Sequence, residues 1–347
     1  MFNFKDKIIT FVAVKLLRKI FFLIVPIYYL VTWLRNVFYD LGVFKSKAYD
    51  FPVICVGNLS VGGTGKTPMI EYLIRLLKDE NQVATLSRGY KRSTEGFYLA
   101  NEAANAKTLG DEPFQFYKKF KNEIQVAVDS DRQNGIATLS LQERIPDVIL
   151  LDDAFQHRKV QAGLNILLTT YNNLYVNDWV LPTGNLREPK SGAKRAQIIV
   201  VTKCPKDLKA SDKERVVKRI QPQSNQKVFF SSIVYAKEVF SEAKKMELKA
   251  LKDFTLVTGI ANAEPLVHHL ESNGLKFEHL NFKDHHSFTA QDIELFESKS
   301  LIITTEKDYV RLYNYESLKD KLFYLPIEVV IDKSDDFNAL IKVFVTP

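Results

Sequence analysis

The chain has 347 residues, 46% of them apolar and 26% charged, the balance of an ordinary folded protein. At ~100–200 residues per domain, two domains are favoured over one; a disordered tail and a small stapled scaffold are both excluded. Only two cysteines occur, Cys55 and Cys204, each in an apolar run, so a disulfide framework and a four-ligand zinc site are excluded and a reducing compartment is expected. The net charge of +7 is uneven. Residues 1–50 hold eight basic residues (Lys5, Lys7, Lys15, Arg18, Lys19, Arg35, Lys45 and Lys47) against Asp6, Asp40 and Asp50. The N-terminus is therefore the basic surface.

Ile8 to Phe38 is strongly apolar, with 15 uncharged residues from Ile20 to Leu34. A spanning helix needs ~20 apolar residues, so this run falls short. Pro26 interrupts it, and Lys15, Arg18 and Lys19 share one helical face. Aromatic bulk at Phe21, Phe22, Tyr28, Tyr29 and Trp33 beside positive charge suits a helix lying in an anionic lipid surface. A single span and a helix pair packed on the protein's own core remain open, but a cleaved signal peptide fits poorly. Membrane contact is expected, at a depth left undecided.

From residue 50 the pattern alternates between strand and helix. Strands are expected at 51–57, 83–86, 124–128, 148–151, 164–169 and 198–201, with helices at 68–78, 111–120 and 132–141. Short apolar runs separated by helices predict a parallel sheet covered on both faces. Residues 206–228 are charged and polar and read as a surface helix and a connection. A second series follows, with strands at 254–257, 277–280, 301–304 and 323–326 and helices at 265–272 and 290–296. The expected organisation is an N-terminal membrane-associated helical segment (1–49), a nucleotide-binding domain (50–228) and a smaller α/β domain completing the site (229–347).

The strongest chemical signal lies between the first strand and the first helix of that series. It reads Ser60-Val61-Gly62-Gly63-Thr64-Gly65-Lys66-Thr67, a phosphate-binding loop with Ser60 where the first glycine usually stands. Its glycines let backbone N–H groups turn toward a polyphosphate at the positive end of a helix. Lys66 is placed for the β- and γ-phosphates, and the Thr67 hydroxyl for Mg²⁺. Pro68 suits the first turn, where its missing N–H is not needed. The apolar strand at 148–151 runs into Asp152 and Asp153, where a buried parallel strand delivers carboxylates to a metal. Together these predict a Mg²⁺-nucleotide site.

A GTPase needs an aspartate three residues after the first residue of [NT]-K-x-D, and Thr202-Lys203-Cys204-Pro205 has proline there. A kinase needs a proton acceptor near the acceptor hydroxyl and positive charge near the transferred group. Asp111, Arg132, Arg187 and the pair His285-His286 are candidates. Helix capping by Asp111 and a surface pair of Arg187 with Glu188 are the plainer alternatives. A cargo-escorting GTPase, a membrane-bound nucleotide sensor and a soluble sugar or nucleoside kinase are the other classes compatible with the loop.

These residues belong to a wider set: Gly57–Pro68, Ser87-Arg88-Gly89-Tyr90, Gly110-Asp111-Glu112-Pro113, Asp152–His157, Leu181–Glu188, Asp284-His285-His286-Ser287-Phe288 and Thr304-Thr305-Glu306-Lys307-Asp308. In that order the set resembles the tetraacyldisaccharide 4′-kinase family, the lipid A 4′-kinases of Gram-negative bacteria. The resemblance covers about residues 50–310, and the basic apolar N-terminus agrees with it. Two departures stand out: Lys91-Arg92 where many relatives have a further glycine, and Ala154-Phe155 where Gly-Leu is usual.

The resemblance implies a P-loop NTPase-like fold and a monotopic or singly anchored enzyme on the cytoplasmic face of the inner membrane. Such an enzyme passes the γ-phosphoryl group of ATP to the 4′-hydroxyl of a tetraacyldisaccharide 1-phosphate, and neither nucleic acid nor a protein partner is implied. Carried over to this sequence, Asp111 is the catalytic base with His285 as its partner, chosen over His286 because it directly follows Asp284. Ser60 to Thr67 bind the nucleotide, and Lys307 and Asp308 line its base. Thr67, Asp152, Asp153 and Glu188 are the metal-side oxygens, and Arg132 and Arg187 the phosphate contacts.

Overall fold

The structure, a computed structural model, describes Phe22 and residues 24–346. The expected helical face of Lys15, Arg18 and Lys19, and Phe21 with it, lies outside the described residues. In chain order the regular elements begin with α1 (Val25–Asp40), β1 (Val53–Asn58), α2 (Lys66–Leu77), β2 (Val83–Ser87), β3 (Tyr98–Leu99), α3 (Ala106–Leu109) and α4 (Asp111–Phe120). They continue with β4 (Gln125–Val128), α5 (Arg132–Leu139), β5 (Val148–Asp152), β6 (Leu164–Thr170), β7 (Ile198–Thr202), α6 (Ala210–Ile220) and β8 (Lys227–Tyr235). Then come β9 (Glu238–Phe240), β10 (Lys245–Glu247), β11 (Phe254–Thr258), α7 (Glu264–Ser272), β12 (Phe277–Asn281), α8 (Ala290–Glu297) and β13 (Ile302–Thr305). The last are α9 (Glu306–Leu312), β14 (Leu322–Leu325), β15 (Ile327–Ile331) and α10 (Ser334–Val345).

The chain folds into two compact units, each gathered from separated segments. One comprises Met1–Ile70, Asp147–Ser232 and Ile331–Pro347; the other comprises Glu71–Pro146 and Ile233–Val330. Strand β8 runs through residue 228 without a break, although its charged approach reads as a connection in sequence.

In the first unit β8, β7, β6, β1 and β5 lie side by side in that order, every neighbouring pair parallel. Every residue of β1, β5 and β7 is buried. That burial explains their unbroken apolar sequences, since a parallel sheet covered on both faces leaves no wet side to mark with polar residues. The C-terminal helix α10 returns to this unit. Its Phe337 meets Phe229 of β8 edge to face at 5.2 Å, and the Phe344 ring fills the space a side chain at Gly163 would need.

The second unit holds two smaller sheets. In one, β2 pairs with β4 in parallel and β3 joins β4 antiparallel. In the other, β12, β11, β13 and β14 are parallel, and the hairpin β9–β10 adds antiparallel to β14. Neighbouring residues along these strands feed opposite cores, as alternation requires. Leu256 and Ile303 pack with Leu266 and Leu270 of α7, whereas Val257 and Ile302 pack with Ile293 and Phe296 of α8. Both faces are thereby covered.

Helix α1 departs from the usual pattern of a surface helix. Its side toward the protein is mostly polar, and its outer side is apolar. Ile27, Leu30, Val31 and Leu34 are exposed, with Trp33 and Phe38 beside them. Among the described residues no helix is long and apolar enough to cross a membrane.

Candidate active site

Each unit carries one cluster of the sequence-predicted residues. In the first unit, β1 opens into the phosphate loop. Gly62 and Gly65 have φ of +105° and +90°, values that glycine tolerates and other residues resist. The loop is fastened on two sides. Val61 N–H donates to the Asn185 carbonyl at 2.8 Å, and Arg187 N–H donates to the Leu59 carbonyl at 2.7 Å. From β7, the Thr202 hydroxyl donates to the Thr64 carbonyl at 2.7 Å, while the Asn58 amide donates to the Thr64 hydroxyl at 2.9 Å. The loop is thus held by side-chain bonds from the neighbouring strands.

Lys66 and Thr67 begin α2. The Lys66 ammonium stands 3.5 Å from Asp153, and Arg187 donates to the same carboxylate oxygen at 2.9 Å. Burial pushes the Asp153 carboxyl up, but Lys66 and Arg187 outweigh it and hold it below its ordinary value. Two cations are thus gathered on one carboxylate at the mouth of the loop. Asp152 closes β5 beside Val56 of β1 and is buried. Thr67 and Asp152 are hard oxygen donors of the kind Mg²⁺ takes alongside phosphate oxygens. They fit such an ion. Among the described residues no group of three or more acids, histidines or cysteines is gathered as a metal cage.

Glu188 is differently placed. Its carboxylate is 1% exposed and accepts from three protein donors. Asn36 of α1 reaches Oε2 at 2.6 Å, and Gln156 and Arg195 reach Oε1 at 2.9 and 2.7 Å. A metal at this carboxylate would displace one of them. The same segment ties down α1 elsewhere. The Tyr28 hydroxyl donates to the Arg187 carbonyl at 2.9 Å, and Arg35 donates to the Gln156 carbonyl at 2.7 Å.

The second unit holds the other cluster. Gly110 adopts φ +93° and turns the chain into α4, so that Asp111 and Glu112 form its first turn. Asp111 stands 3.7 Å from His285 Nδ1, with Arg311 closer, at 2.5 Å. His285 lies between two cations: Nδ1 is 3.0 Å from Arg311 and Nε2 3.0 Å from Lys307. Both are donors only, and a neutral imidazole accepts at just one nitrogen. The ring therefore faces a competition for its lone pair beside its 3.7 Å pairing with Asp111. His286 instead bonds Asp292 at 2.9 Å and stacks on Phe282 at 4.7 Å, which places it in the packing of α8.

Lys307 also pairs with Glu112 at 3.2 Å. Asp308 is fully buried and accepts from Gly259 N–H and the Thr305 hydroxyl, both at 2.8 Å. Burial pushes its carboxyl up, and those donors with Arg311 and Lys307 pull it partly back. Arg132 is also buried; its guanidinium donates to the Asp129 and Ser130 carbonyls at 3.3 Å. Lys91, standing where many relatives have glycine, has φ +60°, the left-handed conformation that glycine adopts more readily.

Two groups were not read from the sequence. Arg311 is one. The other is Lys119 of α4, which lies 2.5 Å from both Glu71 of α2 and Glu306 of α9. Burial pushes Glu306 up to about 7, and the Glu71 charge adds to it. No local motif marks either group, because their partners lie far away in the chain.

A profile of the family described as Tetraacyldisaccharide-1-P 4'-kinase matches residues 17–345. The chain belongs to that family. It is 50% identical over 336 residues to the tetraacyldisaccharide 4'-kinase of Flavobacterium johnsoniae, covering 95% of this chain and 98% of the relative. It is 46% identical over 328 residues to that of Bacteroides fragilis, covering 88% and 87%. Among solved structures it is similar to LpxK from Aquifex aeolicus in complex with ATP, with a TM-score of 0.77 and 31% identity. That match covers 95% of this chain and all of the other. Membership makes this chain an ATP-dependent kinase acting in lipid A biosynthesis, and the P-loop NTPase-like fold is as expected.

Proposed function

We propose that the chain passes the γ-phosphoryl group of ATP to the 4′-hydroxyl of a tetraacylated glucosamine disaccharide 1-phosphate, giving the bis-phosphorylated lipid IVA. The observation that carries this reading is the phosphate loop whose Lys66 shares Asp153 with Arg187, in a chain of this family. Backbone N–H groups of residues 60–67 and the Lys66 ammonium hold the β- and γ-phosphates. Arg187 neutralises charge on the transferred group, and Asp111 accepts the hydroxyl proton. Thr67 and Asp152 would hold Mg²⁺, which supplies charge neutralisation on the phosphate oxygens when bound. Phosphoryl transfer needs little more than such positioning and charge.

The acceptor explains α1. Four acyl chains cannot leave a bilayer without exposing many CH₂ groups, at about 0.8 kcal/mol each, so the protein must come to the lipid. An outward apolar helix face tied to the segment carrying Arg187 and Glu188 suits attachment to the cytoplasmic face of the inner membrane, where ATP is available. Full-length protein in detergent, given Mg²⁺-ATP and the disaccharide 1-phosphate lipid, should add one phosphate to the lipid. Lys66→Ala and Asp111→Ala should abolish that gain. ATP binding without lipid phosphorylation would sink the acceptor assignment and favour a nucleotide sensor.

A further inference from the structure

Arg311 occupies a position that the reaction described above leaves without a role. It projects from α9 with its side chain 10% exposed and uses both edges of its guanidinium. One edge is anchored: Nη1 donates to Asp308 at 3.1 Å and to the Gly259 carbonyl at 3.4 Å. Asp308 is itself immobilised, its other oxygen receiving Gly259 N–H and the Thr305 hydroxyl. The second edge is offered to Asp111. Nε and Nη2 both donate to Oδ2, at 2.8 and 2.5 Å, and Nη2 also reaches His285 Nδ1 at 3.0 Å. Among the described residues no hydrogen bond is made to Asp111 Oδ1.

A guanidinium is planar, always charged and presents its donors in a fixed fork. Clamped to a buried carboxylate on one side, it fixes which oxygen of Asp111 is occupied and which is open. We propose that Arg311, held by Asp308, is the positioning residue of Asp111: it locks Oδ2 and His285 and leaves Oδ1 to take the proton of the incoming hydroxyl. This rests on Asp111 being the proton acceptor. As the new O–P bond forms and the γ-phosphorus to bridging-oxygen bond breaks, the hydroxyl proton passes to Oδ1 and ADP leaves. Arg311 touches neither reactant. Its effect is on the aim of the carboxylate.

The test uses full-length protein with Mg²⁺-ATP and the lipid in mixed micelles, comparing Arg311→Ala, Arg311→Lys and Asp111→Asn with the double variant Asp111→Asn/Arg311→Ala. A misaimed catalytic group costs on the order of 100-fold. Arg311→Ala should lose about that factor in kcat while KM for ATP moves less than about threefold. Added guanidinium at sub-denaturing concentration should restore part of the loss, and Arg311→Lys should lose less than Arg311→Ala. In the Asp111→Asn background, removing Arg311 should cost nothing further, as groups acting as one unit require. An equal loss in both backgrounds would show a merely structural role and overturn the proposal. So would a fall in kcat matched by a fall in folded fraction. Should Arg311→Ala not fold, Arg311→Lys carries the comparison: unchanged kcat with no loss of stability overturns the proposal. An inactive Asp111→Asn beside a fully active Arg311→Ala defeats the positioning role alone. A fully active Asp111→Asn defeats both readings.

Discussion

Asn36 tests how firmly the apolar helix is joined to the site. It is the one buried polar side chain of α1, and its amide is the donor to Glu188 Oε2 at 2.6 Å. The other oxygen has Gln156 and Arg195; Oε2 depends on Asn36. A hydrogen bond to a charged group contributes about 1.5–3 kcal/mol. Asn36→Asp changes one NH₂ into an oxygen, so the bond is lost and a second carboxylate is set against the first. The cost should exceed the simple loss, at about 3 kcal/mol. The remaining ties of α1 include Tyr28 to the Arg187 carbonyl, Arg35 to the Gln156 carbonyl, Arg158 to the Asn36 carbonyl and Arg158 to Asp40. The neutral Tyr28 bond contributes about 1 kcal/mol and the exposed Arg158–Asp40 pair no more than that, while the guanidinium bonds to carbonyls contribute about 1.5–3 kcal/mol each; the outward apolar face adds nothing in water. Asn36→Asp should therefore loosen the helix locally before the unit unfolds.

Hydrogen exchange reads this directly. A loss of about 3 kcal/mol in local opening accelerates exchange of α1 amides about 150-fold, while β1 and β7 stay protected. The compensating change is Glu188→Gln, whose amide can donate to Asp at position 36. The double variant should recover at least about 1 kcal/mol relative to additivity. Unchanged α1 exchange in Asn36→Asp, or strict additivity in the double variant, would refute the reasoning.

Further outcomes follow from the same contacts. Leu30→Glu with Val31→Glu alters two exposed positions, so thermal stability should hold while binding to anionic vesicles falls about 10-fold or more, since each buried aliphatic side chain contributes about 1.5–3 kcal/mol; sedimentation with vesicles checks it. Glu306 provides a pH signature. Its folded value of about 7 lies above an unfolded value of about 4.3, so the folded state holds the extra proton between them and stability falls as pH rises through that window. Glu306→Gln should flatten that fall in denaturant titrations at pH 5, 6, 7 and 8; an unaltered slope would contradict it.

Much of this was legible in the sequence because the signals are local. The phosphate loop is a backbone motif, and its Gly62 and Gly65 stand where positive φ is needed. Helix α4 begins at Asp111 and ends at Phe120 as its acidic first turn and periodicity predict. The continuous apolar runs of β1, β5 and β7 mark strands buried on both faces. Other elements gave no comparable signal. Helix α9 has seven residues, too few for a periodic pattern, and β8 is preceded by charges that resemble a connection. The grouping of Glu71–Pro146 with Ile233–Val330 depends on packing between remote segments.

The carboxylates show where reading by residue type stops. Asp152, Asp153, Glu188 and Asp308 all stand in motifs that suggest ligands, and in sequence nothing separates them. Their donors do. Asp153 is shared by two cations, Lys66 and Arg187, at a part-exposed site. Glu188 and Asp308 are buried with donors from other elements, and displacing those would leave charged or amide groups unsatisfied at about 1–3 kcal/mol each or more. Asn36 lies 152 positions from Glu188, and Arg311 lies 200 positions from Asp111. Glu188 and Asp308, buried and bonded within the protein, hold other groups in place, whereas the part-buried Asp153 bonds two cations that a phosphate would compete for. That distinction turns Glu188 into the attachment of the apolar helix and Asp308 into the anchor of Arg311.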